Sequence, residues 1–81
     1  MNKTMKEAIK YVREHSTWTE EEETRALVAV DHMRCPLRHT YEGEKICDEI
    51  YDLMEEYSDD NDLPEGWWLE ETDEEEIFWE L

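Results

Sequence analysis

No lysine or arginine occurs after Lys45. Residues 46–81 carry sixteen acids and no base, a net of −16, whereas residues 1–45 hold all eight bases against nine acids, a net of −1. This imbalance speaks against direct binding of the second half to DNA, RNA or an anionic membrane, whose charge it would repel. Apolar residues are also scarce, at 38% of the chain. No stretch approaches the length needed to cross a bilayer. No apolar run follows the early lysines, so no signal peptide is expected and a reducing cytoplasm is the expected compartment. Two cysteines, Cys35 and Cys47, are too few for a disulfide framework. There is no Gly/Ser-rich linker and no internal repeat, so residues 1–81 read as a single small domain. A chain this short buries a modest core and draws on extra support for stability.

The apolar residues that are present fall at helical spacings. Thr4 with Glu7 reads as a capping box, and Met5, Ala8, Ile9 and Val12 then recur at i, i+3, i+4 and i+7. A first helix is expected over 4–14, with Lys3, Lys6, Lys10 and Arg13 as a basic stripe beside its apolar face. Thr19 with Glu22 is a second capping box, and Glu20 to Glu23 put negative charge at the positive end of the helix dipole. This second helix is expected over 20–34, burying Ala26, Leu27, Val30 and Met33, and ending at Cys35-Pro36. Thr40 is a candidate cap for a third helix over 41–57, where Ile46, Ile50, Leu53 and Tyr57 share one face. Cys47, Tyr51 and Met54 widen that face, and acids take the opposite arc.

Ser58 to Asp62 reads as a polar break, and Leu63-Pro64-Glu65-Gly66 as a turn. Trp67-Trp68-Leu69 follows as a short strand or an irregular packed segment. Thr72 with Glu75 is a third capping box, opening a short last helix through Ile77, Phe78, Trp79 and Leu81. The expected fold is mainly α: a three-helix bundle with a Trp-rich C-terminal segment over 63–81, either a short strand or a fourth short helix.

The acidic surface is the leading candidate site. Asp48/Asp52, Asp52/Glu56 and Glu55/Asp59 are like-charge pairs at i, i+4, each costing about 0.2–0.5 kcal/mol of helix stability. Only Lys45 is placed to relieve them. The plainer reading is a solvated face that keeps a small protein dispersed. Uniform sign, held at a cost, points instead to a basic protein partner. The charge-presenting residues are Asp48, Asp52, Glu55, Glu56, Asp59, Asp60 and Asp62, with Glu70, Glu71, Asp73, Glu74, Glu75 and Glu76. Trp67, Trp68 and Trp79 are candidate aromatic anchors, against the plainer reading that they complete the core. Any homodimer is expected to be weak and to use the apolar or first-helix surface, because acidic faces repel.

Carboxylates on adjacent helical turns sit about 5–6 Å apart, and duplex DNA carries one charge per roughly 1.7 Å of axis. In size and charge alone, the chain resembles the small DNA mimics of phages and mobile elements, such as anti-restriction and some anti-CRISPR proteins. That resemblance implies a nucleic-acid-binding protein as the target, with no direct nucleic-acid contact and no membrane.

Other chemistries are less well served. His32, Cys35, His39 and Cys47 are four ligand types that zinc accepts, but the spacing is not a standard zinc pattern. A zinc-stabilised module is therefore an alternative reading, beside a plain structural domain of no separate activity. A Cys35–His32 nucleophile pair lacks any sign of a shaped pocket or oxyanion hole, and the paired carboxylates lack a pocket signature. Neither an enzyme nor a resident cofactor is expected. A calcium loop fails on register, since placing Gly66 sixth puts Asn61 first and Leu63 third.

Overall fold

The computed structural model of the chain describes residues 3–81. Four α-helices occur in the order α1 (Lys3–His15), α2 (Glu20–Met33), α3 (Tyr41–Asp60) and α4 (Glu74–Glu80), with a 3-10 turn over Leu37–His39 between α2 and α3. Among the described residues there is no strand, so Trp67-Trp68-Leu69 forms turns and the last segment is a fourth short helix. The longest helix, α3, is the hub: α1, α2 and α4 each pack against it. No helix among the described residues is long and apolar enough to cross a membrane.

In α1, Met5, Ala8, Ile9 and Val12 are the buried face, as their spacing predicts. Thr4 does not cap this helix. It lies inside the first turn, because helical geometry is already in place at Lys3.

The capping box at the start of α2 is present in full: Thr19 Oγ1 accepts from the Glu22 N–H at 3.1 Å, and the Glu22 carboxylate accepts from the Thr19 N–H. The helix ends at Met33, one residue earlier than expected, with Arg34 as a left-handed C-cap at φ 50°. Its buried face is far narrower than the sequence implies. Only Ala26 is fully buried, while Leu27 is 38% and Met33 63% exposed. The small Ala26 lets α2 lie close along a thin line of contact. Leu27, about 100° further round the helix, then turns away from the bundle.

Thr40 caps α3 as expected. Its Oγ1 accepts from the Gly43 N–H at 2.9 Å and donates to the Leu37 carbonyl at 2.7 Å, tying the 3-10 turn to the helix start. Gly43 is required by this fold-back, since a Cβ there would lie 1.9 Å from the Leu37 carbonyl oxygen. Ile46, Cys47, Ile50, Leu53, Met54 and Tyr57 are buried on one face of α3. The helix runs to Asp60, a turn beyond the expected end at Tyr57. Ser58 does not break it, because its hydroxyl folds back to donate to the Met54 carbonyl at 2.8 Å. The same hydroxyl accepts from the Trp67 indole N–H at 2.5 Å, so this last turn anchors the chain that follows.

The C-terminal segment closes the core. Gly66 takes φ 71° in the turn after Pro64, where a side chain would be strained. Trp68 has no exposed surface and meets the Tyr51 ring edge-on at 5.7 Å. Ile77 and Phe78 of α4 are also buried, and Trp18 packs against Phe78. The cap of α4 is Asp73 rather than Thr72: the Asp73 carboxylate accepts from the Glu76 N–H at 2.9 Å, while the Thr72 hydroxyl donates to the Glu76 carboxylate.

Candidate protein-binding surface

At about 100° per residue, Asp48, Asp52 and Asp59 fall within about 40° of one another on α3. They form a crest directly opposite the Ile46, Ile50 and Leu53 face, and all three are exposed. Because α1, α2 and α4 gather on the buried side, the crest looks away from the rest of the bundle.

Glutamates occupy the two flanks of the crest, and their longer side chains reach back into the fold. At the very edge of the crest, about 20° from Asp48, Glu55 Oε1 accepts from the Gly66 N–H at 3.1 Å and from the Trp68 indole N–H at 3.2 Å. On the other side, Glu49 Oε1 accepts from both the backbone N–H and the hydroxyl of Thr17, at 2.6 and 2.5 Å. Glu56 lies beside the Tyr11 phenol, which burial and then this carboxylate raise above its ordinary pKa. The Tyr51 phenol is raised as well, first by the charge of Glu55 and next by burial, a sign of the negative potential along this side of α3.

Arg38 and Lys45 stand beside Asp48 in the grooves it lines, but neither forms an ion pair with the crest. Among the described residues the ion pairs are Lys10–Glu14, Arg25–Glu21, Arg38–Glu74 and Lys45–Glu22, and none includes a carboxylate of α3. Lys45, expected to relieve the acids of its own helix, pairs with Glu22 of α2 at 2.7 Å, with Glu49 of α3 a weaker electrostatic partner. The Lys45 contact and the Thr19 N–H hold the Glu22 carboxyl below the usual carboxylate range. The basic stripe of α1 is remote, and Arg13 donates to the Glu80 carbonyl.

The expected acidic residues therefore divide in two. Asp48, Asp52, Asp59, Asp60, Asp62, Glu70 and Glu71 are exposed, as is Glu56. The half-buried Glu55, Glu74 and Glu75 serve the fold, as do Asp73 and Glu76, which are exposed but engaged in the start of α4. Glu55 holds the Gly66 turn, Asp73 caps α4, Glu74 pairs with Arg38, Glu75 accepts from the Leu37 N–H, and Glu76 accepts from Thr72. The expected aromatic anchors divide likewise. Trp68 is a core residue with nothing to offer a partner, Trp67 is half-buried on Ser58, and Trp79 is 52% exposed.

Exposed acids missing from the candidates include Glu44, Glu65 and Glu80. Glu44 lines an open groove of about 410 Å³ with Asp48, Tyr51, Asp52 and the Arg38–Glu74 pair. The signal was available in the sequence, since Glu44, Asp48 and Asp52 follow one another at i, i+4 and i+8. A second groove, of about 620 Å³, is walled by the Trp79 indole and floored by Met5.

The four candidate zinc ligands are not assembled. His32 and His39 are exposed, Cys35 is half-buried and Cys47 is buried against α3's neighbours. Among the described residues no group of three or more His, Cys, Asp or Glu side chains is arranged to hold a metal ion. Burial pushes the Cys47 thiol above its ordinary pKa, which is the reverse of what an activated nucleophile needs.

Compared with known proteins, the chain matches no family model, no curated protein and no solved structure.

Proposed function

We propose that this protein is a protein-binding module whose crest of aspartates on α3 docks a basic surface of another protein. The observation that carries this reading is the partition of carboxylates within one helix. Glu49 and Glu55 have donors from the same chain, while Asp48, Asp52 and Asp59 form no ion pair among the described residues, the nearby Arg38 and Lys45 being engaged by Glu74 and Glu22. Three aspartates in a row with no ion pair of their own destabilise the free protein slightly. A cationic partner would remove that repulsion, and the long-range field of the acidic half would speed its approach.

The more specific form of the proposal is a DNA mimic. Along α3, four residues rise about 6 Å and the whole helix about 30 Å. Asp48 and Asp52 are thus about 6 Å apart along the axis and Asp52 and Asp59 about 10.5 Å, roughly two and three times the 3.4 Å axial spacing of phosphates on one DNA strand. Glu44 on the acidic lip of the groove extends the row one turn earlier, and the exposed Asp60 and Asp62 add charge at the far end of the helix, off that line. A protein that grips the phosphate backbone would meet a comparable row of anions. Trp79, the one largely exposed tryptophan, is the apolar anchor that remains available.

The test is competition. A sequence-independent DNA-binding protein is bound to a fluorescent duplex, and this protein is titrated in at about 0.1 M salt, where the Debye length is ≈ 10 Å. The expected result is release of the duplex by the native chain and none by a variant with Asp48, Asp52 and Asp59 all changed to Lys. Equal release by both, or release indifferent to salt, overturns the role of the crest.

A further inference from the structure

The groove between α4 and the start of α1 differs from the rest of the acidic surface in having an aromatic wall. It holds about 620 Å³ and is lined by Met5, Glu71, Thr72, Glu76, Trp79 and Glu80. The Trp79 indole is 52% exposed and is braced by Phe78, whose ring meets it edge-on at 5.1 Å. Glu76 and Glu80 stand at i, i+4 on α4, with Cβ atoms about 5–6 Å apart. At about 100° per residue, Glu76 lies between Trp79 and Glu80 around the helix. The Thr72 hydroxyl donates to Glu76 Oε2 at 2.9 Å and holds that carboxylate in place. No lysine or arginine lines this groove. Arg13 donates to the Glu80 carbonyl at 3.3 Å, but its side chain lines a different groove, with Trp18 and Leu81.

We propose that this groove receives one arginine side chain of a protein partner, its guanidinium stacked on the Trp79 indole and its N–H groups donating to the Glu76 and Glu80 carboxylates. The lining selects this chemistry. An apolar side chain would suit Trp79 and Met5, but it would strip water from the carboxylates and give them no donor in return. An anion would be repelled. A lysine would answer the charge, but its ammonium is compact and strongly hydrated. A guanidinium is flat and weakly hydrated, so it can stack on an indole and donate from its edge at the same time. The net charge of −17 draws any cationic partner toward the molecule, and the indole adds the discrimination between two cations that charge alone cannot make. The inference rests on the reading of the chain as a binder of basic proteins, but it does not need the crest of α3.

The probe is a Gly-Arg-Gly tripeptide with both ends blocked, set against its lysine and citrulline counterparts. The arginine and lysine peptides carry the same charge, so the general field of the protein acts on them alike. Nuclear magnetic resonance of the isotope-labelled chain at about 0.15 M salt, where the Debye length is about 8 Å, separates the indole N–H signals of the four tryptophans. The Trp79 signal is identified by its loss in Trp79→Leu. The arginine peptide is expected to shift it saturably, with an affinity about two- to fivefold above that of the lysine peptide. The uncharged citrulline peptide is expected to bind about tenfold more weakly than the arginine peptide. In Trp79→Leu, read at the Glu76 and Glu80 backbone amides, the preference for arginine over lysine is expected to vanish while the helical circular dichroism stays unchanged. A Trp79 signal that does not move overturns the inference. So does equal affinity for arginine and lysine, or for arginine and citrulline. The titration reads Trp79 and the duplex competition reads the crest, so a failure of one is distinguishable from a failure of the other.

Discussion

The crest and flanks of α3 are a few ångströms apart, carry the same charge, and do opposite things. The flanks are built from glutamates whose carboxylates are hydrogen-bond acceptors for distant parts of the chain, Thr17 on one side and Gly66 with Trp68 on the other. The crest is built from aspartates, whose shorter side chains stand over solvent. One extra methylene lets a glutamate curl over the helix shoulder to a partner, while the crest aspartates form no ion pair among the described residues. Negative charge in this protein is thus two populations. One is spent on holding loops to the hub helix, and the other adds repulsion without a local return.

That contrast can be broken most forcefully at the residue the flank supports. Trp68→Ala removes the largest fully buried side chain, and a loss of about 3–5 kcal/mol is expected from the cavity alone. Urea denaturation followed by far-UV circular dichroism measures it, and a loss under 1 kcal/mol would show that the C-terminal segment is not part of the core. The flank itself comes next. Glu55→Ala leaves the Trp68 indole N–H and the Gly66 N–H without their acceptor, at a cost of about 1–3 kcal/mol. Glu55→Gln keeps an acceptor oxygen and is expected to lose much less. Equal losses for the two variants would assign the stabilisation to charge rather than to the hydrogen bonds.

At the crest the sign reverses. Asp52→Asn removes repulsion with both Asp48 and Glu56 at i±4 and is expected to stabilise the protein by about 0.2–0.5 kcal/mol per pair relieved. The same substitution is expected to weaken competition with DNA. A crest variant that loses stability would erase the distinction between the two populations and with it the argument that the crest faces outward for a partner.

The hub helix was legible in the sequence because its partners are local or periodic: Ile46, Ile50, Leu53 and Tyr57 recur on one face, and Thr40 reaches only to Gly43. The cap of α2 was legible for the same reason. The buried side of α2 was not, because periodicity tells which residues share a face but not how wide a strip the neighbour covers. There the contact narrows to Ala26 with the half-buried Val30, and leaves Leu27 and Met33 outside. The one-residue misplacement of the last cap reflects two adjacent residues, Thr72 and Asp73, with the same capping chemistry. The division of the acids was least legible. Nothing near Glu55 in the sequence distinguishes it from Glu56, since its donors are eleven and thirteen residues away. The three candidate tryptophan anchors were unsortable for the same reason: Trp68 is buried after the turn at Gly66, whereas Trp79 lies on α4 beside the buried Ile77 and Phe78 and is half exposed.

The smallest effect sharpens the comparison from the basic half, where acids are matched rather than crowded. Lys45 and the Thr19 N–H lower the pKa of Glu22 in the folded protein, so the unfolded chain binds the proton more readily. By linkage, this group's contribution is fully present above its ordinary value of about 4.5 and is lost as pH falls through its lowered folded value. Glu22→Gln keeps the capping geometry, since glutamine also serves at that position, but removes the charge. The urea midpoint of the native chain is therefore expected to exceed that of the variant slightly at pH 7, and the two curves to converge toward pH 3. Both groups lie at the surface, so the gap should also narrow in high salt, whereas the gain from Asp52→Asn should shrink in salt with the opposite sign. Two curves that stay parallel across the whole pH range would mean that Lys45 contributes nothing through Glu22. The only cation on the hub helix would then be as free as the aspartates beside it.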